Sequence, residues 1–320
     1  MLTDAQRLST RRVIAVMNNK GGVGKTSVTA NVAGVLAVSG KRVLVIDLDP
    51  QGNLGRDLGY RNEEGLDDEG RSLFDTLSNG VPLAPVRGIR DYSDEGRGRL
   101  DVIPGGRWTA MLADVLSGMA QRGADPSERL AEALAEIAGE YDLVLLDTPP
   151  GEANVQRQAL IAARRILIPT IVDDGSLDGL GGLAARVADV RSINPTLSVL
   201  GVVLFSLNSS AKRIEEQTRA ELTVMLGDIA PVFAATIRQA QAAAVDARRR
   251  GQLVFEVAKD FSETRFNWTK ELDDAEKGSV ETPARIAASS TGLAADYVNL
   301  TKQLLVHLVE QEQLEQGMTA

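Results

Sequence analysis

The chain has 320 residues, 43% hydrophobic, 25% charged and 4% aromatic, with no cysteine and a formal net charge of -9. This is the composition of an ordinary globular protein with room for one large domain or two small ones. It excludes a disulfide scaffold, thiolate metal sites and iron–sulfur ligation, and it argues against a surface coated throughout in nucleic acid, though a local basic face remains compatible with it.

Met1 to Arg12 is short and polar, without the apolar stretch of a secretory signal. No apolar run approaches the roughly 20 residues that span a bilayer, so a cytoplasmic protein is expected. Val13 to Met17 is a β-branched apolar run ending at a Gly-rich turn, as a buried parallel strand does. Residues 26 to 39 place Val28, Val32, Val35 and Leu36 on one helical face, with Gly40 closing the helix. Val43 to Ile46 is a second buried strand, ending in Asp47-Leu48-Asp49-Pro50-Gln51-Gly52. Strand, Gly turn, helix and strand make a βαβ unit, which implies a parallel sheet.

Residues 61 to 71 and 91 to 99 are polar and Gly-rich, and read as exposed loops. Ser72 to Leu77 reads as helix and Leu100 to Ile103 as strand, followed by helices over 107 to 121 and 126 to 139. Leu143 to Leu146 is a third buried strand, ending at Asp147-Thr148-Pro149-Pro150. Ile166 to Pro169 is a strand, 176 to 193 a helix and Val199 to Phe205 a strand. Residues 211 to 226 alternate a charged face with an apolar one formed by Ile214, Leu222 and Met225. Residues 259 to 290 are polar with little periodicity and are expected to form a mobile insertion. The last helix carries Leu293, Tyr297, Leu300, Leu304 and Leu308 on one face. The expected organisation is a nucleotide-binding domain over 1 to 258, the insertion, and a helix over 291 to 320 packed on the same domain.

The decisive stretch is Asn19 to Ser27. The general phosphate-loop pattern is Gly, four residues, Gly, Lys, then Ser or Thr. Gly24-Lys25-Thr26 matches its end, but Asn19 stands where the first Gly belongs, and Lys20 is an additional lysine. The chemistry still works. Backbone N–H groups from Gly21 through Gly22, Val23 and Gly24 to Thr26 can form an anion nest, and the following helix turns its positive end toward phosphate. Lys25 would neutralise the β- and γ-phosphates, and the Thr26 hydroxyl would ligate Mg²⁺.

Lys20-Gly21-Gly22-Val23-Gly24-Lys25-Thr26 resembles the deviant Walker A motif of the ParA/MinD superfamily. The resemblance implies a P-loop NTPase fold, with a mostly parallel twisted sheet and helices on both faces. It also implies ATP and Mg²⁺ as cofactors. It gives Lys20 a reach into the other subunit's nucleotide across an ATP-sandwiched homodimer. Asp47-Leu48-Asp49-Pro50-Gln51-Gly52-Asn53 resembles the ParA form of the second motif. That implies that Asp49 positions or activates the attacking water and that Asp47 lies nearer the metal; on their own the two Asp residues would also suit a turn before Pro50. Asp147 with Thr148-Pro149-Pro150 resembles the Walker B aspartate, which holds Mg²⁺. Lys20, Lys25 and Asp49 are the expected catalytic residues. Ser27 completes the ATP-binding loop, and Asn208 suits either an adenine contact or a turn.

The resemblance is strong over residues 10 to 60, clear over 140 to 207 and weaker over 229 to 257, where Ile237-Arg238-Gln239 departs from the family's Ile-Pro-Arg-Asn. Residues 259 to 290 match nothing in it. The missing cysteines set the chain apart from the superfamily's iron–sulfur branches. Glu310, Glu312 and Glu315 make the last helix a poor match to the membrane-binding helix of MinD, so no membrane contact is expected. About a dozen residues precede the first strand, too few for a helix-turn-helix, so no specific operator binding is expected.

The resemblance implies a slow, partner-stimulated ATPase that binds double-stranded DNA without sequence preference on the nucleoid and is reset by a ParB-like centromere-binding protein. An equally open alternative is the positioning of a protein cargo. A metabolic P-loop ligase or kinase is a third reading, against which Lys20 and the Asp-Pro-Gln-Gly run argue. DNA contacts need cations facing phosphates. Arg248-Arg249-Arg250 is the densest cluster, and Lys212, Arg213 and Arg219 form a second, although solvated charge runs look the same. His307 reads as a packed or solvated side chain.

Overall fold

The computed structural model describes residues 2–93, 98–172, 174–207, 212–227, 229–259 and 289–319. The expected mobile insertion thus lies outside the described residues except at its edges, as does Asn208. In chain order the elements are α1 (Asp4–Ser9), β1 (Val13–Val16), α2 (Lys25–Val38), β2 (Arg42–Asp47), α3 (Asn53–Asp57), α4 (Arg71–Asn79), β3 (Val86–Asp91), β4 (Arg99–Ile103), α5 (Arg107–Ala110), α6 (Leu112–Gln121), α7 (Arg129–Ile137), β5 (Leu143–Asp147), α8 (Ala153–Ala162), β6 (Arg165–Thr170), α9 (Asp174–Val190), β7 (Ser198–Leu207), α10 (Lys212–Leu226), β8 (Val232–Arg238), α11 (Gln241–Arg250) and α12 (Ser290–Thr319).

The strands form one sheet in the order β3-β4-β2-β5-β1-β6-β7-β8. All neighbours are parallel except β3 and β4. The inner strands are buried on both faces and therefore read as unbroken apolar runs. Successive side chains enter opposite cores. Val13 and Ala15 join the layer of α4, α6, α7 and α8, whereas Ile14 and Val16 join the layer of α2, α11 and α12. The chain leaves β1 toward β2 and later returns to β6 on its other side, so the C-terminal ends of β1, β2 and β5 open at a topological switch point.

Helix α2 is buried along most of its length, because the sheet covers one side and α12 another. Leu293, Tyr297, Leu300, Leu304 and Leu308 bury their side chains in that second core, each worth about 1.5–3 kcal/mol. Polar clamps add to them. Arg238 donates bidentately to Asp296 at 2.6 and 2.8 Å. Arg12 donates to both oxygens of Glu312 at 2.8 Å, and Arg164 and Arg165 converge on Glu315 at 2.7 and 2.5 Å. Glu312 and Glu315 of the last helix therefore face the protein's own arginines, while Glu310 lies 3.0 Å from His307.

Some expectations need correction. Residues 107 to 121 form two helices, broken at Met111, and α7 starts at Arg129, three residues after Pro126. Of the apolar face read on α10, Leu222 is buried, whereas Ile214 and Met225 are 56% and 49% exposed.

Candidate functional site

The site begins with backbone geometry at the end of β1. Gly22 and Gly24 adopt φ of 76° and 86°, a region closed to most side chains, and Gly24 caps α2 in this left-handed conformation. A Cβ at Gly24 would also run into the Phe205 ring, which packs on the loop from the end of β7. Asn18 is fully buried and pins the loop to the sheet: its amide donates to the Pro169 carbonyl at 2.8 Å, and its Oδ1 accepts from the Lys20 N–H at 2.9 Å. Lys25 is buried, and its ammonium donates to the Lys20 carbonyl at 3.0 Å. Burial lowers its pKa, opposed by the charges of Asp147 and Asp49.

Two carboxylates close the floor. Asp47 and Asp147 end adjacent parallel strands in direct register, and both are fully buried. Asp47 Oδ1 accepts from the Asp49 N–H at 2.9 Å, but its Oδ2 and both oxygens of Asp147 have no hydrogen-bond partner. Burial, reinforced by the charge of Asp147, pushes Asp47 well above the ordinary carboxylate range. Burial likewise pushes Asp147 up to about 7; the nearby Thr26 hydroxyl opposes the shift without closing a hydrogen bond, and the charge of Asp49 adds to it. Buried, unpaired carboxylate oxygens beside a threonine hydroxyl are hard donors of the kind that suit Mg²⁺. Among the described residues no three acidic or histidine side chains cluster into a metal cage.

The loop after β2 brings in Asp49. Its Oδ1 accepts from the Gln51 N–H at 2.9 Å, and Arg61 ties the loop by donating to the carbonyls of Gln51 and Gly52. Asp49 lines one cavity of about 510 Å³ together with Gly21, Gly22, Gly24, Lys25, Thr26, Ser27 and Arg248. Loop glycines, the Lys25 ammonium, the Thr26 hydroxyl and the Asp49 carboxylate thus meet in one cleft, groups of the kinds that phosphoryl transfer to water uses.

The basic residues are divided. Arg248 faces this cavity and donates to Asp57 Oδ1 at 2.5 Å. Arg249 is exposed, and Arg250 donates to Asp246 at 3.1 Å. On α10, Arg213 is exposed, whereas Arg219 donates to Glu215 at 3.0 Å and to the Phe233 carbonyl. The backbone of Lys212 opens α10, and its side chain lies outside the described residues. His307 stacks on Phe233 with ring centroids 5.1 Å apart and sits 3.0 Å from Glu310, away from the cavity. Asp57 and the cavity-facing role of Arg248 were missed by sequence reasoning: the two residues are 191 positions apart, and no local pattern joins them.

Comparison with known proteins agrees with this geometry. The AAA_31 family, described as an AAA domain, matches residues 11–199. The chromosome-partitioning ATPase Soj of Thermus thermophilus is 34% identical over 242 residues, covering 71% of this chain and 88% of Soj. The chromosome partitioning protein ParA of Caulobacter vibrioides is 34% identical over 220 residues, covering 68% and 77%. The chain belongs to the ParA-type ATPases. A solved structure described as cobyrinic acid a,c-diamide synthase from Mycobacterium smegmatis, with bound ATP analog and magnesium, shares the fold at a TM-score of 0.59 and 30% identity, covering 75% of this chain and 91% of that one. Within this ParA-type chain, no described helix is long and apolar enough to cross a membrane.

Proposed function

We propose that the protein is an ATP-gated switch for DNA partition. The observation that carries this reading is the joint presence of Lys20, Lys25 and Asp49 around one phosphate loop and its cavity. Gly21 to Ser27 hold the triphosphate; Thr26 and Asp147 hold Mg²⁺, with Asp47 behind them. The metal supplies charge neutralisation at the β- and γ-phosphates. Lys25 balances the same charge, and Asp49 orients the attacking water. Lys20 completes the site of a second copy, so that ATP drives dimerisation. The dimer holds double-stranded DNA without sequence preference through Arg213, Arg249 and the neighbouring Lys212 and Arg250. A ParB-like partner stimulates hydrolysis and releases the dimer, which places the protein in the cytoplasm on the nucleoid.

Arg219 and Arg248 are left out of this proposed face because they donate to distant parts of the chain, the Phe233 carbonyl and Asp57, whereas Arg250 pairs with Asp246 one turn away on its own helix. The test is the ATPase rate with and without DNA and the cognate partner, for wild type, Lys20→Ala and Asp49→Ala. Slow basal turnover, raised by DNA plus partner and lost in both variants, is expected. Normal hydrolysis by Asp49→Ala refutes the water-orienting role. Substantial product formation with a small-molecule acceptor would instead favour a synthase.

A further inference from the structure

The arginine run that ends α11 is split by the fold, and its first member turns toward the nucleotide cavity. Arg248 Nε donates to Asp57 Oδ1 at 2.5 Å, and the Ser27 hydroxyl donates to Asp57 Oδ2 at 3.4 Å. One carboxylate thereby joins the first turn of α2, where the phosphate loop ends, to the last turn of α11. Asp57 is 7% exposed, whereas the Arg248 side chain is 44% exposed and lines the cavity with Lys25, Thr26 and Ser27.

Electrostatics gives the pairing a purpose. A buried carboxylate one hydrogen bond from a polyphosphate-binding helix would repel its ligand if left uncompensated. Arg248 compensates it. A guanidinium has five N–H donors in a rigid fork, and Asp57 takes only the Nε donor. Among the described residues, the terminal nitrogens of Arg248 make no further hydrogen bond. A cation held at the wall of an anion-binding cavity, with donors to spare, is built to contact the anion.

We propose that Arg248 is a nucleotide-binding residue oriented by Asp57, and that bound nucleotide thereby fixes the end of α11 carrying Arg249 and Arg250. This rests on the cavity being the ATP site and is independent of DNA binding. It makes Asp57 a positioning residue, and it makes the last turn of α11 a reporter of occupancy.

The test is titration of fluorescent N-methylanthraniloyl-ATP with Mg²⁺ against the full chain. Saturable binding by wild type that is lost in Lys25→Ala establishes the site itself; no binding by wild type overturns the reading beneath the proposal. Against that baseline, Arg248→Ala is expected to weaken affinity about 10-fold or more. Arg248→Lys keeps the charge against Asp57 but loses the fork, and is expected to weaken affinity about 3- to 10-fold. Arg249→Ala is expected to stay within about twofold of wild type. The double variant Asp57→Ala with Arg248→Ala separates contact from charge compensation. It keeps the loss if Arg248 touches the nucleotide, and a return to wild-type affinity would overturn the proposal. Wild-type affinity in both Arg248→Ala and Arg248→Lys would overturn it too. Hydrogen exchange tests the coupling: ATP slows exchange across α11 in wild type and not in Arg248→Ala, and equal slowing in both contradicts it.

Discussion

Replacing Asp147 with Asn should make the nucleotide-free protein more stable while destroying its response to Mg-ATP. Asp147 is fully buried, its oxygens are unpaired, and its pKa is pushed up to about 7 by burial. An unfolded Asp titrates near 3.9, so the difference is about 3 units, and at 1.36 kcal/mol per unit the ionised folded form carries a penalty of up to about 4 kcal/mol. Asp47 shares the same field, and an amide left without partners also costs something, so a net gain of about 1–3 kcal/mol is expected. The sign with pH is fixed. Between about pH 4 and pH 7 the folded chain keeps a proton that the unfolded chain has lost, so this contribution to stability falls as pH rises through that window and stays low above it. Urea denaturation in EDTA at pH 5 and pH 8 measures it. Wild type should lose stability toward pH 8, and Asp147→Asn should lose less and be the more stable of the two at pH 8. Adding Mg-ATP should stabilise wild type and leave the variant nearly unchanged. Equal pH dependence in the two proteins, or a variant less stable at pH 8, would refute the reasoning.

Gly24→Ala should cost at least about 1–2 kcal/mol through its positive φ, more through the Phe205 ring, and should weaken nucleotide binding; a variant that melts and binds like wild type contradicts the cradle geometry. Asp296→Ala should cost about 1–2 kcal/mol, because it frees Arg238 from a bidentate clamp that holds α12 to β8; thermal denaturation should show a fall of a few degrees. Arg213→Glu with Arg249→Glu should abolish ATP-dependent DNA retention in a salt-titrated shift assay and leave nucleotide affinity within about twofold, since neither side chain lines the cavity.

Much of this architecture is legible in the sequence because buried parallel strands are apolar without interruption. Val13–Val16, Arg42–Asp47 and Leu143–Asp147 announce themselves in this way, and their tips carry the loop, Asp47, Asp49 and Asp147. β3 escapes the same test. It is a half-exposed edge strand, Val86–Asp91, with two arginines and a glycine, and only its antiparallel pairing with β4 defines it. α8 is hidden by polar residues: buried Gln156 donates to the Pro149 carbonyl and Gln158 to that of Pro126, so amides do there what apolar side chains do elsewhere. The helix read over 211 to 226 is α10, but apolar spacing predicts a face and not whether anything covers it: Leu222 is buried and Ile214 and Met225 are exposed. Arg248 was grouped with its neighbours by adjacency, whereas a helix points successive side chains about 100° apart, and Asp57 waits on only one of those bearings.

The most direct test of the account as a nucleotide-gated switch is the molar mass of Asp49→Ala in solution with Mg-ATP and with Mg-ADP, measured by light scattering. The account predicts a dimer with ATP, a monomer with ADP, and a monomer in both once Lys20→Ala is added. A mass that does not change with the nucleotide would contradict it.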